Sequence, residues 1–134
     1  MTVPLSLVAR TARMLGMRDA LDVGGAKMLF YTGLIAATPD TATTETLLAR
    51  VVLGTPSGAL GEDAGLATLT LVVPQTILAI NSGLIGWLRL VNGVGQGFLD
   101  LPVGLVNSGA PAILNVLQVF TGGEFQLISC ILAE

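Results

Sequence analysis

The chain has 134 residues, 52% of them hydrophobic and 11% charged, with a net charge of −3 and no histidine. That length fits one domain with one hydrophobic core, and a slightly acidic chain with six basic residues has no electrostatic basis for binding nucleic acid. Without histidine the usual activation of a Ser or Cys nucleophile and the commonest metal ligand are missing, so the expectation is no enzyme, no metal and no cofactor.

From about Pro4 to Leu21 the apolar positions Leu5, Val8, Ala12 and Leu15 fall at helical spacing, with Arg10, Arg13 and Arg18 mostly off that stripe. This predicts one helix, with Pro4 in its first turn and Gly24-Gly25 ending it. The arginines read as its wet side. Residues 1–24 form a helical segment and 25–134 the β domain; the helix packs either on that domain or on a neighbour, a choice the sequence leaves open. Arg10 and Arg13 also interrupt the one apolar stretch near the N-terminus, so no secretory signal is expected.

After Gly25 eight apolar runs read as strands: Ala26–Tyr31, Leu47–Leu53, Leu66–Val73, Thr76–Ile80, Leu84–Val91, Gln96–Leu101, Ile113–Phe120 and Phe125–Leu132. Loops separate them, including a long Thr-rich connection around Pro39 and a segment from Gly54 to Gly65. Asn92-Gly93 and Gly122-Gly123 are expected to supply positive φ at tight turns. Ala64 to Leu88 carries no charge and is long enough to cross a bilayer as a helix. Pro74, Gln75, Thr76, Asn81 and Ser82, with β-branched Thr68, Thr70, Val72 and Val73, favour strands there instead.

In Leu66–Val73, Leu69, Leu71 and Val73 oppose Thr68 and Thr70, the pattern of a strand with one wet face. Leu84–Val91 differs, because Leu84, Gly86, Leu88 and Leu90 on one face and Ile85, Trp87, Arg89 and Val91 on the other are both largely apolar. Such a strand is expected to place one face in the core and the other against something else. The outer surface of the C-terminal half is then a contact surface. The whole pattern predicts an all-β antiparallel sandwich or jelly roll of about eight strands with one N-terminal helix; an open barrel is the nearest rival.

The remaining residues offer little chemistry. Glu62-Asp63 in a Gly-flanked loop read as solubilising charges, and Asp100 as a structural partner for Arg89. Gly93-x-Gly95-x-Gly97 lacks the spacing of a dinucleotide fingerprint, and Gly54 to Gly61 lacks the Lys-Ser or Lys-Thr of a phosphate loop. Cys130, the single cysteine, excludes an intrachain disulfide and reads as a small buried hydrophobe on a strand face with Ile128 and Leu132. Trp87 reads as an anchor in a core or at an interface, with the interface favoured.

Ala26-Lys27-Met28-Leu29-Phe30-Tyr31-Thr32-Gly33, Pro39, Leu47-Leu48-Ala49, Gly65-Leu66-Ala67-Thr68 and Gly83 through Gly86-Trp87-Leu88-Arg89-Leu90-Val91, followed by the Gly93 turn, resemble small virion proteins of tailed bacteriophages. Within that group the chain looks like a head decoration or cement protein, although its turn after Val91 lacks the acidic residues often found there. The resemblance implies a jelly-roll-like body on the capsid exterior, assembled in the host cytoplasm. It also implies contact with the major capsid protein and with a second copy of itself, and no membrane or nucleic-acid partner. Trp87, Arg89, Ile85, Arg10 and Arg13 are the candidate interface residues. A head–tail or tail component and a small carbohydrate-binding jelly roll are the alternative functions, and a membrane-inserted β protein ranks below them.

Overall fold

Ser6 begins the first element: its side chain accepts a hydrogen bond from the Ala9 amide, capping helix α1 (Leu7–Leu21) in this computed structural model, which describes residues 5–71 and 76–133. Pro4, expected in the first turn, lies outside the described residues. At the other end the Asp22 amide bonds the Arg18 carbonyl, and Gly24 and Gly25 follow at φ 75° and 91°, so the predicted stop is observed. The helix packs on its own domain, against strands Gly58–Asp63 (β3) and Leu66–Leu71 (β4). It does so through Leu7, Met14, Met17 and Leu21, not through the expected stripe. Leu5, Val8, Ala12 and Leu15 face outwards, Val8 at 80% exposure. Two apolar stripes share this helix, and the longer, thioether-bearing one reaches the core.

The β elements in chain order are β1 (Lys27–Thr32), β2 (Leu47–Val52), β3 (Gly58–Asp63), β4 (Leu66–Leu71), β5 (Ile77–Leu78), β6 (Gly83–Val91), β7 (Gly97–Gly104), β8 (Ala112–Leu114), β9 (Gln118–Val119), β10 (Glu124–Phe125) and β11 (Leu127–Ala133). Eight of them form one continuous path, β2-β1-β6-β7-β8-β11-β4-β3, with β9 added beside β6 and a small β5–β10 ribbon apart. The path is curled, as a sandwich-like all-β fold with one helix requires. Its two edge strands, β2 and β3, are consecutive in sequence. The loop between them is held where the Leu53 amide bonds the Ala26 carbonyl and the Ser57 amide bonds Asp22 Oδ1. Met28, Phe30, Leu48, Leu69, Leu88 and Phe125 fill the core, with the Phe30 and Phe125 rings edge to face at 5.5 Å.

Several expectations are corrected. Gly58–Asp63 is an edge strand, not a loop; its glycines and charges hide the strand pattern, and the chain returns into β4 through Ala64 and Gly65 at φ 51° and 81°. Two predicted runs divide, Ile113–Phe120 into β8 and β9, and Phe125–Leu132 into β10 and β11. The β7–β8 junction is parallel, a departure from the antiparallel rule followed by the other described pairs. After Val91 the positive φ sits at Gly95, while Asn92 Oδ1 accepts from the Val94 and Gln96 amides. Gly93 is needed for a different reason, because a Cβ there would collide with the Gly24 backbone at the end of α1. Gly122 takes its expected positive φ. The Val72–Val73 end of the third run and the Pro74-Gln75 turn lie outside the described residues.

Candidate functional site

Strand β6 carries the residues on which the sequence placed the interface, and its register explains their fate. Trp87 pairs with Tyr31 across β1, and Arg89 pairs with Asp100 across β7. The Tyr31 and Trp87 rings stack at 4.8 Å, Trp87 Nε1 donates to the Thr32 carbonyl at 3.1 Å, and the Arg89 guanidinium lies 5.2 Å from the indole ring centre. Arg89 donates to both Asp100 oxygens at 2.7 and 3.0 Å, the two-pronged geometry suited to a carboxylate. Its remaining donors reach the carbonyls of Thr41 at 2.8 Å and Thr38 at 3.3 Å.

The Thr-rich connection between β1 and β2 therefore lies over this face of β6. Close packing needs glycine in two places: a Cβ on Gly86 would meet the Gly33 carbonyl, and one on Gly97 the Pro39 carbonyl. The hydrogen bond from Arg89 to Asp100 raises the arginine pKa above its usual value, and burial is the main cause of an upward shift at Tyr31.

Trp87 has 0% exposure, Ile85 is buried and Arg89 is 7% exposed. All three are interior to the chain, so the expected outward-facing anchor is corrected: Trp87 and Arg89 lie under the protein's own β1–β2 connection, while Ile85, beyond a register shift, belongs to the core. The expected structural pairing of Arg89 with Asp100 is present. Arg10 and Arg13 sit apart from it on α1, Arg10 half-buried and Arg13 exposed.

A groove of about 430 Å³ opens between α1 and the sheet. Met14, Leu101 and Leu132 form its buried floor, Met17, Leu99 and Pro111 its half-buried walls, and Ile131 and Ala133 its outer rim. Among the described residues that line it, Arg13 is the charged one. Sequence reading missed this groove, although the Met14–Met17–Leu21 spacing was a signal for a second helical stripe. A smaller polar depression of about 240 Å³ is lined by Thr76, Asn115, Glu124, Phe125 and Gln126.

Exposed apolar side chains also gather at the two ends of β6. Val23, Val52 and Val94 (71% exposed) mark the end where α1 meets the β6–β7 turn. Leu78, Ile80, Leu84 and Phe120 mark the other, where β5, β6 and β9 converge. Leu34, 84% exposed, projects from the loop that covers Trp87.

Among the described residues no group of three or more Cys, Asp or Glu side chains is placed to hold a metal. Glu62 and Asp63 are exposed on the edge strand β3. Cys130 is buried on β11, where desolvation pushes its thiol pKa up to about 12, away from nucleophilic reactivity. A register shift between Leu127 and Ser129 turns Ile128 outwards, correcting the expected shared face with Cys130 and Leu132. No described helix is long and apolar enough to cross a membrane, and much of the uncharged Ala64–Leu88 stretch forms β4, β5 and β6. The chain matches no protein-family model, no curated protein and no solved structure.

Proposed function

We propose that the chain is a non-enzymatic structural protein of a virion, a decoration or cement protein that binds the capsid exterior and joins neighbouring major capsid subunits. The observation that carries this reading is the exposed apolar surface on α1 and at both ends of β6, on a chain with 11% charged residues. Such surface is costly in water and favourable when covered, and a protein that binds only the assembled lattice stabilises that lattice by mass action. The resemblance of the Lys27–Gly33 and Gly86–Val91 segments to small phage virion proteins supplies the identity of the lattice. The partners are the major capsid protein and a second copy of this chain.

Copy number in purified particles tests the reading. Quantitative mass spectrometry is expected to find hundreds of copies per particle, in fixed ratio to the major capsid protein. A handful of copies per particle would point instead to a head–tail or tail component, and absence from particles would reject the virion reading.

A further inference from the structure

The geometry points to the outer edge of β3 as the surface on which two copies of this chain meet, pairing antiparallel about a two-fold axis and bringing their α1 helices side by side. This rests on the reading of a second copy as a partner and names the surface it uses. Of the two edges of the main sheet, β2 is already partly covered: the Leu48 carbonyl accepts from the Ile80 amide and the Leu47 carbonyl from the Asn81 side chain. No described strand pairs beyond β3. Asp63 and Leu66 close the tight turn through Ala64 and Gly65, so their backbone groups face each other. Bonded and non-bonded pairs alternate along an antiparallel ladder. Ala59, Gly61 and Asp63 therefore bond to β4, whereas Gly58, Leu60 and Glu62 direct their N–H and C=O groups away from it. The Gly58 carbonyl agrees, since it accepts from Arg18 Nη1 at 3.4 Å. The outward groups of Leu60 and Glu62 form a template for another strand.

Charge selects that strand as a second β3. When Leu60 stands opposite the second copy's Leu60, each Glu62 stands opposite Gly58 of the other copy, where Arg18 is held. Leu60 and Glu62 share the inward side of β3, opposite Leu69 and Ala67, and Glu62 is exposed there. Its carboxylate thus comes beside a cation whose other acidic neighbour, Asp19 at 3.6 Å, is itself exposed. Parallel stacking in register would set Glu62 on Glu62 and Asp63 on Asp63. The charges that shield this edge from open-ended pairing therefore permit the closed antiparallel pair.

The helix supplies an independent argument. Arg18 ties one flank of α1 to β3, while Arg13 and Met17 border the groove on the opposite flank. Val8, Thr11 and Leu15 follow the Arg18 flank at helical spacing, and Val8 and Leu15 are exposed. Joining the two β3 edges sets these flanks next to each other, antiparallel, on the same side of the shared sheet. The apolar groups beside the open edge then cover their own copies, which removes them from water.

Amide hydrogen exchange of the full chain, followed by NMR above and below the association midpoint, reads this edge directly. The Leu60 and Glu62 amides are expected to exchange slowly only in the associated form, whereas those of Ala59 and Gly61 are slow in both. Glu62→Pro deletes an outward N–H without removing a bond to β4, and Glu62→Arg sets like charges together. Each should weaken association about tenfold or more in sedimentation. Combining Arg18→Glu with Glu62→Arg restores the opposite charges and should recover most of the affinity that Glu62→Arg loses. If wild type associates but the Glu62 variants do so equally well and the two amides stay unprotected, the β3 edge is overturned and a second copy as partner stands. A wild type that is monomeric at every soluble concentration overturns both. Should Glu62→Pro fail to fold, Glu62→Arg and the wild-type exchange pattern decide.

Discussion

Trp87 shows how a side chain's neighbours, more than its own type, decide its role. It stacks on Tyr31, donates to the Thr32 carbonyl and lies under Arg89, leaving no exposed surface. Trp87→Ala is therefore expected to cost about 3–5 kcal/mol of folding stability, measured by denaturant unfolding of the isolated protein. A mutant as stable as the wild type would mean that the ring contributes outside the fold. Cys130 gives a second test. Its thiol titrates near 9 when unfolded and at about 12 in the fold, so the unfolded state loses its proton first. The stabilisation is complete below pH 9 and declines as pH rises towards 12. Tyr31, also shifted upwards by burial, acts in the same direction above pH 10. Cys130→Ala should flatten the alkaline decline relative to wild type, and native Cys130 should resist iodoacetamide at pH 8 until the protein is unfolded.

At the scale of elements, the critical contact joins the end of α1 to the β6–β7 turn. The Gly93 amide bonds the Val23 carbonyl, and the Gly24 and Gly93 backbones approach too closely for a side chain on Gly93. Gly93→Ala is expected to lower stability by roughly 1–3 kcal/mol, the usual cost of forcing extra volume into a packed site. Gly95→Ala would isolate the separate cost of positive φ. Thermal unfolding of the two variants compares these effects, and an unperturbed Gly93→Ala would remove the α1–turn contact from the account. The helix itself was legible, from about Pro4 to Leu21 in the sequence and Leu7–Leu21 in the fold, but its buried face was not. Both stripes have helical spacing, and only the positions of β3 and β4 select Leu7, Met14, Met17 and Leu21. Edge strand β3 escaped notice because Gly58, Gly61, Glu62 and Asp63 satisfy the needs of an edge, which are the opposite of the apolar alternation by which strands are found. The groove was invisible for a related reason: its walls come from α1, β7 and β11, far apart in the chain.

For the whole molecule, the excess of apolar residues over charged ones was readable at once, and the all-β class with one helix followed from strand length and turn residues. What covers each apolar face depends on distant packing. The Trp87–Arg89 part of β6 is hidden by the chain's own Thr-rich loop, whereas Val8 and Leu15 on α1 and the apolar groups at both ends of β6 remain outside. The proposed self-association is therefore assigned to those outer residues and not to the buried Trp87. Val8→Ser with Leu15→Gln changes exposed positions only, so its effect on monomer stability should be about 0.5 kcal/mol or less. Sedimentation velocity of the wild-type chain and this double variant at micromolar concentration tests the central claim most directly. Wild type is expected to sediment as a dimer or larger species and the variant to shift towards the 13.7 kDa monomer; a wild-type protein that remains monomeric and free of aggregation would contradict the claim that its exposed apolar surface is built to be covered.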